Sequence, residues 1–422
     1  MPFPGKPAIR RTGPGNRILA LLGGLCLFFS LVEYLIPKPL PFMRIGLANL
    51  PLLLALDLFP AGEFALLVLI KVLGQGIVSG TLFSYVFLFS LAGTAVSACA
   101  MYGLRKFFGV KRTGFAGIGT AGAFLSNAVQ LVLARYVVFG PAVRYLVPPF
   151  LAAGIISGFG LGLFCGIFAV RSRWYRMVLS GEAAPAADAA GDKIADAAAG
   201  AKADSASARR DRARLKRREN WDGFFPAGDL FIAGFLMMCF FLFNSSVSSR
   251  FLQFLLFSVL AFLSGKKNNP LVALFVMSGV VFFNLLAPYG RVLFEWGPFR
   301  ITGGALLAGL RRAVTLEGLL MLSGACIRPG LALPGRMGAL LAESFGMLGA
   351  LQKQKAALKP GRIIEGIDKL LWELEPLERP GTSGGRHAGE IVLLALMVSA
   401  AAVLRALTAS GFWQDLRWLP YN

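Results

Sequence analysis

The groups in this sequence with chemistry to offer are polar residues that interrupt long apolar runs. Lys71 and Gln75 lie one helical turn apart, amid Gly74, Gly76 and Gly80. Asn127 and Gln130 are three apart, which puts both on one helical face, with Arg135 beyond them. Arg44 and Asn49 bracket the start of the second apolar segment, and Glu33 sits in the first. A charge inside an apolar span is costly and usually faces a cavity, a partner or another charge. Gathered round one pocket, these side chains would bind a small solute, with Lys71 and Arg44 suited to an anionic group on it. The substrate-binding candidates are Arg44, Asn49, Lys71, Gln75, Asn127 and Gln130. Each has a plainer alternative. Asn and Gln commonly hydrogen-bond between transmembrane helices as packing glue. Lys71 could equally pair with Glu33, and Arg44 and Arg135 would suit snorkelling to the membrane interface.

The tools of catalysis are missing from the pattern. There is no aspartate-rich DDxxD pair to hold magnesium on a diphosphate, and no GxxxxGK[ST] loop to cradle phosphates. There is no G-x-S-x-G elbow, and the single histidine, His387, cannot complete a Ser–His–Asp group. The five cysteines, Cys26, Cys99, Cys165, Cys239 and Cys326, lie in apolar stretches without a CxxC pair, so they read as small hydrophobes. Neither a catalytic residue nor a metal or cofactor site is expected. No ATPase core is present either, so ATP-driven work would need a separate subunit.

The elements that must position these residues are membrane helices. Hydrophobic residues make up 56% of the chain and charged residues 15%, well below the roughly 25% of a soluble domain. Mean hydropathy is +0.65. The charges fall in clusters between apolar runs, and 43 Lys and Arg against 22 Asp and Glu give a net charge of +21. Nucleic-acid binding would want those cations interleaved with aromatics on a soluble surface. Cytoplasmic loops under the positive-inside rule explain them better. The basic N-terminus, with Lys6, Arg10, Arg11 and Arg17, precedes an apolar run without an evident cleavage site, as a first transmembrane helix would.

Apolar segments are placed near 18–36, 45–59, 63–78, 83–104, 115–139 and 145–170 in the first half. Some approach or fall below the roughly 17–25 residues of a straightforward span. Six spans starting inside put the N-terminal tail, the loop with Arg105, Lys106, Lys111 and Arg112, and the stretch from Arg171 onward all in the cytoplasm. Residues 183–208 are a low-complexity Ala/Asp/Ser/Gly linker, followed by the basic block RRDRARLKRRE. That block reads either as an electrostatic grip on anionic lipid heads or a partner, or as a solvated, orientation-setting tail. In the second half apolar segments recur near 230–243, 251–263, 270–286, 301–327 and 391–407, with 301–327 interrupted by Arg311, Arg312 and Glu317. Between 328 and 386 lies a stretch too polar to span, with helical apolar spacing that predicts two or so amphipathic helices separated near Pro360. These would either lie on the membrane or form a platform for a cytoplasmic partner. The fold class is all-α: a polytopic membrane protein with about 11 transmembrane helices in two bundles joined by a cytoplasmic linker. The organisation is 1–172, a linker at 173–227, and 228–422 with cytoplasmic amphipathic helices at about 335–380. The expected location is the inner (cytoplasmic) membrane of a bacterium, with the N-terminus inside. Trp413, Trp418 and Tyr421 near the C-terminus would suit the outer membrane–water interface.

The runs PFMRIGLANLPLLLALDLF, EFALLVLIKVLGQGIVSGTLFS, FLFSLAGTAVSACAMYGLRKF and GIGTAGAFLSNAVQLVLARYV resemble the Gx transporter family, also labelled heptaprenyl diphosphate synthase component I. The resemblance covers roughly 18–172. It rests on R-x-G-L-A-N, the glycine-flanked turn after Lys71, and the Asn127–Gln130 pair. It implies a six-helix bundle around a small-molecule pocket, as in the substrate-binding S components of energy-coupling factor transporters. Residues 228–410 are similar to the T component of the same transporters, whose paired cytoplasmic helices dock into ATPase subunits. Where that family carries Ala-Arg-Gly-like motifs this chain has LKPGRIIEG, and Arg362 is the position carried over as a coupling candidate. The resemblance implies a transport module that binds a small substrate, sits in the lipid bilayer and works with separate ATPase subunits. The alternative is a non-catalytic membrane subunit of heptaprenyl diphosphate synthase in isoprenoid or quinone biosynthesis.

Overall fold

The computed structural model describes residues 14–35, 46–109, 113–180, 205–244, 246–266, 270–296, 299–328, 331, 335–353, 363–373 and 388–409. Arg44, Arg362, His387 and the three aromatics near the C-terminus lie outside the described residues.

The first half begins with α1 (Pro14–Leu35), followed by a 3-10 turn at Leu47–Asn49 and the short helix α2 (Leu50–Ala55). Then come α3 (Ala61–Ser79), α4 (Tyr85–Phe108), α5 (Phe115–Ala134), α6 (Val147–Arg171) and α7 (Arg173–Ser180). The described part of the second apolar segment is thus no span-length helix. Pro51 sits in the first turn of α2, and Pro60 caps the next helix instead of continuing this one. Gly80 ends α3 in the left-handed region, φ 60° and ψ 40°, a conformation that suits glycine and turns the chain sharply into α4.

The second half holds α8 (Ser205–Phe224), α9 (Ala227–Leu242), α10 (Val247–Leu263) and α11 (Pro270–Leu285). An antiparallel hairpin, β1 (Val292–Trp296) and β2 (Phe299–Thr302), leads into α12 (Gly303–Cys326). Then follow α13 (Gly335–Lys353), α14 (Ile363–Glu373) and α15 (Ala388–Ala409). The stretch 301–327, which reads from sequence as one long span or two short ones, is a strand end and one helix of 24 residues. The hairpin is an addition to the expected all-helical pattern.

Five helices among the described residues are long and apolar enough to cross a bilayer: Asn16–Glu33, Ala61–Ser79, Tyr85–Phe108, Phe115–Tyr145 and Val147–Arg171. Shorter apolar helices stand at Ala227–Leu242, Val247–Leu263, Pro270–Leu285 and Val392–Val403. Large apolar side chains point outward from these helices, among them Ile156 and Val170 on α6 and Leu271 and Phe275 on α11. Glycines and polar side chains turn inward. A soluble protein would not expose so much contiguous apolar surface. The chain is an all-α, multi-pass membrane protein.

Small residues set the tightest seam. A Cβ on Gly162 of α6 would stand 2.4 Å from the carbonyl oxygen of Phe115 and 2.5 Å from Cα of Ala116. One on Gly158 would stand 2.6 Å from the carbonyl oxygen of Gly119. Only glycine lets the backbones of α5 and α6 approach this closely, as expected where dispersion and not hydrophobicity drives association. At one end of this bundle Arg105 grips Asp57 with two hydrogen bonds, Nε–Oδ1 at 2.8 Å and Nη2–Oδ2 at 2.5 Å. That cation is 8% exposed, so it clamps α4 to the turn after α2 and is no loose loop charge.

The two halves are packed into each other. α13 lies along α1 and α3, burying Leu340, Leu341, Ser344, Met347, Leu348 and Leu351. Gly23 and Gly24 of α1 admit Ser344 and Met347. Phe83 donates its N–H to Ser323 Oγ at 3.1 Å, and Asn284 Nδ2 donates to the Val138 carbonyl at 3.0 Å. On α14, Asp368 accepts from the backbone N–H of Trp174 at 3.1 Å and from Ser172 Oγ, capping α7. The basic block falls in α8, where Arg217 stacks on Phe262 at 4.1 Å and the backbone crosses tightly over Gly265.

Candidate functional site

α3, α4, α5 and α6 close round a pocket that the Gly46–Asn49 turn and the end of α1 complete. Gly46, at φ 89°, gives this turn its left-handed bend, and its N–H donates to Glu33 Oε1 at 3.2 Å. The turn in this way carries Asn49 inward to Lys71. Lys71 is 3% exposed; its ammonium donates to Asn49 Oδ1 and, at 3.3 Å, to Thr94 Oγ1. Across the pocket, Asn127 Nδ2 donates to the Phe150 carbonyl at 2.8 Å, and Gln130 Nε2 donates to Ser126 Oγ at 3.1 Å. Gln130 Oε1 and Ser97 Oγ are buried and have no hydrogen-bond partner among the described residues. Such orphaned polar atoms cost stability unless something else satisfies them.

Neighbouring glycines make room for the two amides. A Cβ on Gly93 would stand 2.6 Å from Gln130 Nε2, and one on Gly154 would stand 2.3 Å from Asn127 Nδ2. The open space at the centre is about 40 Å³, room for a few waters. The pocket is contracted in this conformation, and a solute would have to widen it.

Asn49, Lys71, Asn127 and Gln130 meet here as the sequence suggests, and Glu33 lines the same pocket. Gln75, one turn past Lys71, does not line it; its Oε1 is buried elsewhere without a hydrogen-bond partner among the described residues. Arg44 and Arg362 lie outside the described residues. Sequence reasoning missed the hydroxyls Ser90, Thr94, Ser97, Ser126 and Ser157. The signal was present, because Ser90, Thr94 and Ser97 repeat at steps of four and three along one face of α4. The site offers one ammonium, one carboxylate, two side-chain amides beyond Asn49, and a ring of hydroxyls. Among the described residues no three His, Cys, Asp or Glu side chains gather as metal ligands.

Fold and pocket together define a polytopic helical membrane protein with a buried polar site in its N-terminal bundle. Over residues 22–168 the chain matches the family model described as heptaprenyl diphosphate synthase component I, the family that its N-terminal motifs resemble. Residues 230–328 match a model described as a domain of unknown function (DUF8519). No curated protein and no solved structure matches the chain.

Proposed function

We propose that the chain is a membrane transport module of the energy-coupling factor type, whose N-terminal bundle binds a small solute bearing an anionic group. One observation carries the reading: Lys71, Asn49, Thr94, Asn127 and Gln130 converge on one buried pocket in which Gln130 Oε1 and Ser97 Oγ lack partners. The ammonium would meet the anionic group, and the two orphaned oxygens would take the solute's donors. The second half would couple this pocket to separate ATPase subunits, in the cytoplasmic membrane of a bacterium with the N-terminus inside. Packing supports such coupling. A Cβ on Gly74, three residues from Lys71, would touch Leu27 of α1 and Leu341 of α13 together. A shift of α13 is thus felt on the two helices that carry Glu33 and Lys71. The test is isolation from native membranes followed by reconstitution. The reading expects a nucleotide-binding protein to co-purify and ATP to drive solute accumulation that Lys71→Met abolishes. Recovery of the chain always without an ATPase would sink it.

The description of the family matched over 22–168 favours a second reading, a non-catalytic membrane subunit of a prenyl diphosphate synthase. There, adding this chain to a purified catalytic subunit should change rate or product length. An unchanged product profile would remove that reading.

A further inference from the structure

A second, larger cavity of about 340 Å³ opens where the two halves meet, within the usual range of small-molecule sites, about 300–1,000 Å³. Arg250, Arg311 and Arg312 line it, with Thr315 and the rings of Tyr85 and Tyr289. Among the described residues no carboxylate lines it. The three guanidiniums also have no ion-pair partner among the described residues. Two of them are fixed by neutral groups. Arg250, 7% exposed, donates to the carbonyls of Asn244 at 2.6 Å and Leu242 at 3.0 Å, and to Thr315 Oγ1 at 2.7 Å. Arg312 donates to Asn284 Oδ1 and packs over Gly140 of the first half. The Arg311 side chain makes no hydrogen bond with the described residues and stands at the exposed edge.

Three like charges converging in an apolar helical bundle repel one another and are costly to desolvate. Snorkelling does not account for Arg250, which is buried and held by three hydrogen bonds. The basic-loop explanation fails as well, since Arg250 belongs to α10 and Arg311 and Arg312 belong to α12. What balances the charge is an anion. Planar guanidinium forks suit the tetrahedral oxygens of a phosphoryl group, which can carry two charges and accept from several donors at once.

We infer that this cavity is a binding site for a phosphoryl anion, either the headgroup of an anionic lipid or free phosphate or diphosphate. The site is separate from the Lys71 pocket and does not depend on the transport reading. Tyr85 and Val137 belong to the first half and the arginines to the second, so the bound group bridges the two.

The purified full chain provides the test in two arms. In one, it is reconstituted with phosphatidylglycerol and phosphatidylcholine in equal parts, and retained lipid is measured by native mass spectrometry. In the other, inorganic phosphate and pyrophosphate are titrated in detergent while thermal unfolding is followed. Preferential retention of phosphatidylglycerol identifies the lipid source; a rise in midpoint with phosphate or pyrophosphate identifies the free source. In either case Arg311→Gln should weaken the effect about tenfold, as loss of one charge-assisted contact does. Because the Arg311 side chain makes no hydrogen bond with the described residues, that variant should elute and unfold like the parent. Ala308→Phe, which fills the cavity and keeps all three charges, should give the same loss. The inference is overturned if neither arm shows anion binding, or if binding is unchanged in both variants.

Discussion

The Lys71 pocket and the arginine cavity handle charge in opposite ways within one apolar chain. Around Lys71 a single ammonium is enclosed by an amide and a hydroxyl, with a carboxylate on the same wall, and only about 40 Å³ stays open. Around Arg311 three guanidiniums share about 340 Å³, with no carboxylate in the wall among the described residues. The first arrangement is nearly self-satisfied, so its selectivity must come from exchanging fixed internal partners for a solute's groups. The second is left electrostatically unbalanced and calls for an anion from outside. The contrast also separates two structural settings. The Lys71 pocket is built within one bundle, held by the glycine seam of α5 and α6. The arginine cavity lies on the junction of the halves, where Asn284 and Arg312 reach Val138 and Gly140.

The sharpest way to break this comparison is Lys71→Met. Removing one partner of a buried charged contact costs roughly 2–5 kcal/mol, so solute affinity should fall about thirtyfold or more by calorimetry. It should also lower Tm, because Asn49 and Thr94 lose their donor, whereas Arg311→Gln should leave Tm in place. A Lys71 variant that binds as well as the parent would reduce the first pocket to packing. Next in size is Gly162→Ala. Its methyl would be driven into the Phe115 carbonyl, and overpacking of this kind costs about 1–3 kcal/mol. Tm should drop by several degrees, while Gly160→Ala, with open space around it, should be silent. Equal behaviour of the two would mean that the α5–α6 seam does not set the pocket. The smallest effect is expected from Gln130→Leu. It removes an acceptor that has no partner and one hydrogen bond within α5, from Gln130 Nε2 to Ser126 Oγ, so Tm should fall only slightly while solute binding weakens about tenfold. A Tm loss with unchanged binding would instead mark Gln130 as inter-helix glue.

Much of this was legible in the sequence, for a physical reason. Lys71, Asn127 and Gln130 stand out because polar groups are rare and expensive in apolar helices, and the same expense drives them together in space. The hydroxyls of α4 and α5 carried a fainter mark, their spacing along one face, since Ser and Thr can bond a carbonyl of their own helix at little cost, as Thr120 does with Ala116. Gln75 shows the limit of periodicity: it shares a face with Lys71, yet one turn of rise carries it out of the pocket. The short α2 was hidden by its composition, because a leucine run reads alike whether it makes a full span or a six-residue helix bounded by prolines. The arginine cavity was hidden by distance along the chain. Arg311 and Arg312 appeared as interruptions of one helix, and nothing local showed that Arg250 joins them. Likewise the spacing of α13 announced an amphipathic helix but not that α1 would cover its apolar face.

The most direct test of the central claim is native mass spectrometry of the chain extracted gently from its own membranes. The account predicts a bound small solute carrying an anionic group, released on unfolding and missing from Lys71→Met while the protein stays folded. A parent chain that carries no such solute, and whose Tm responds to none of a panel of small organic anions, would contradict it.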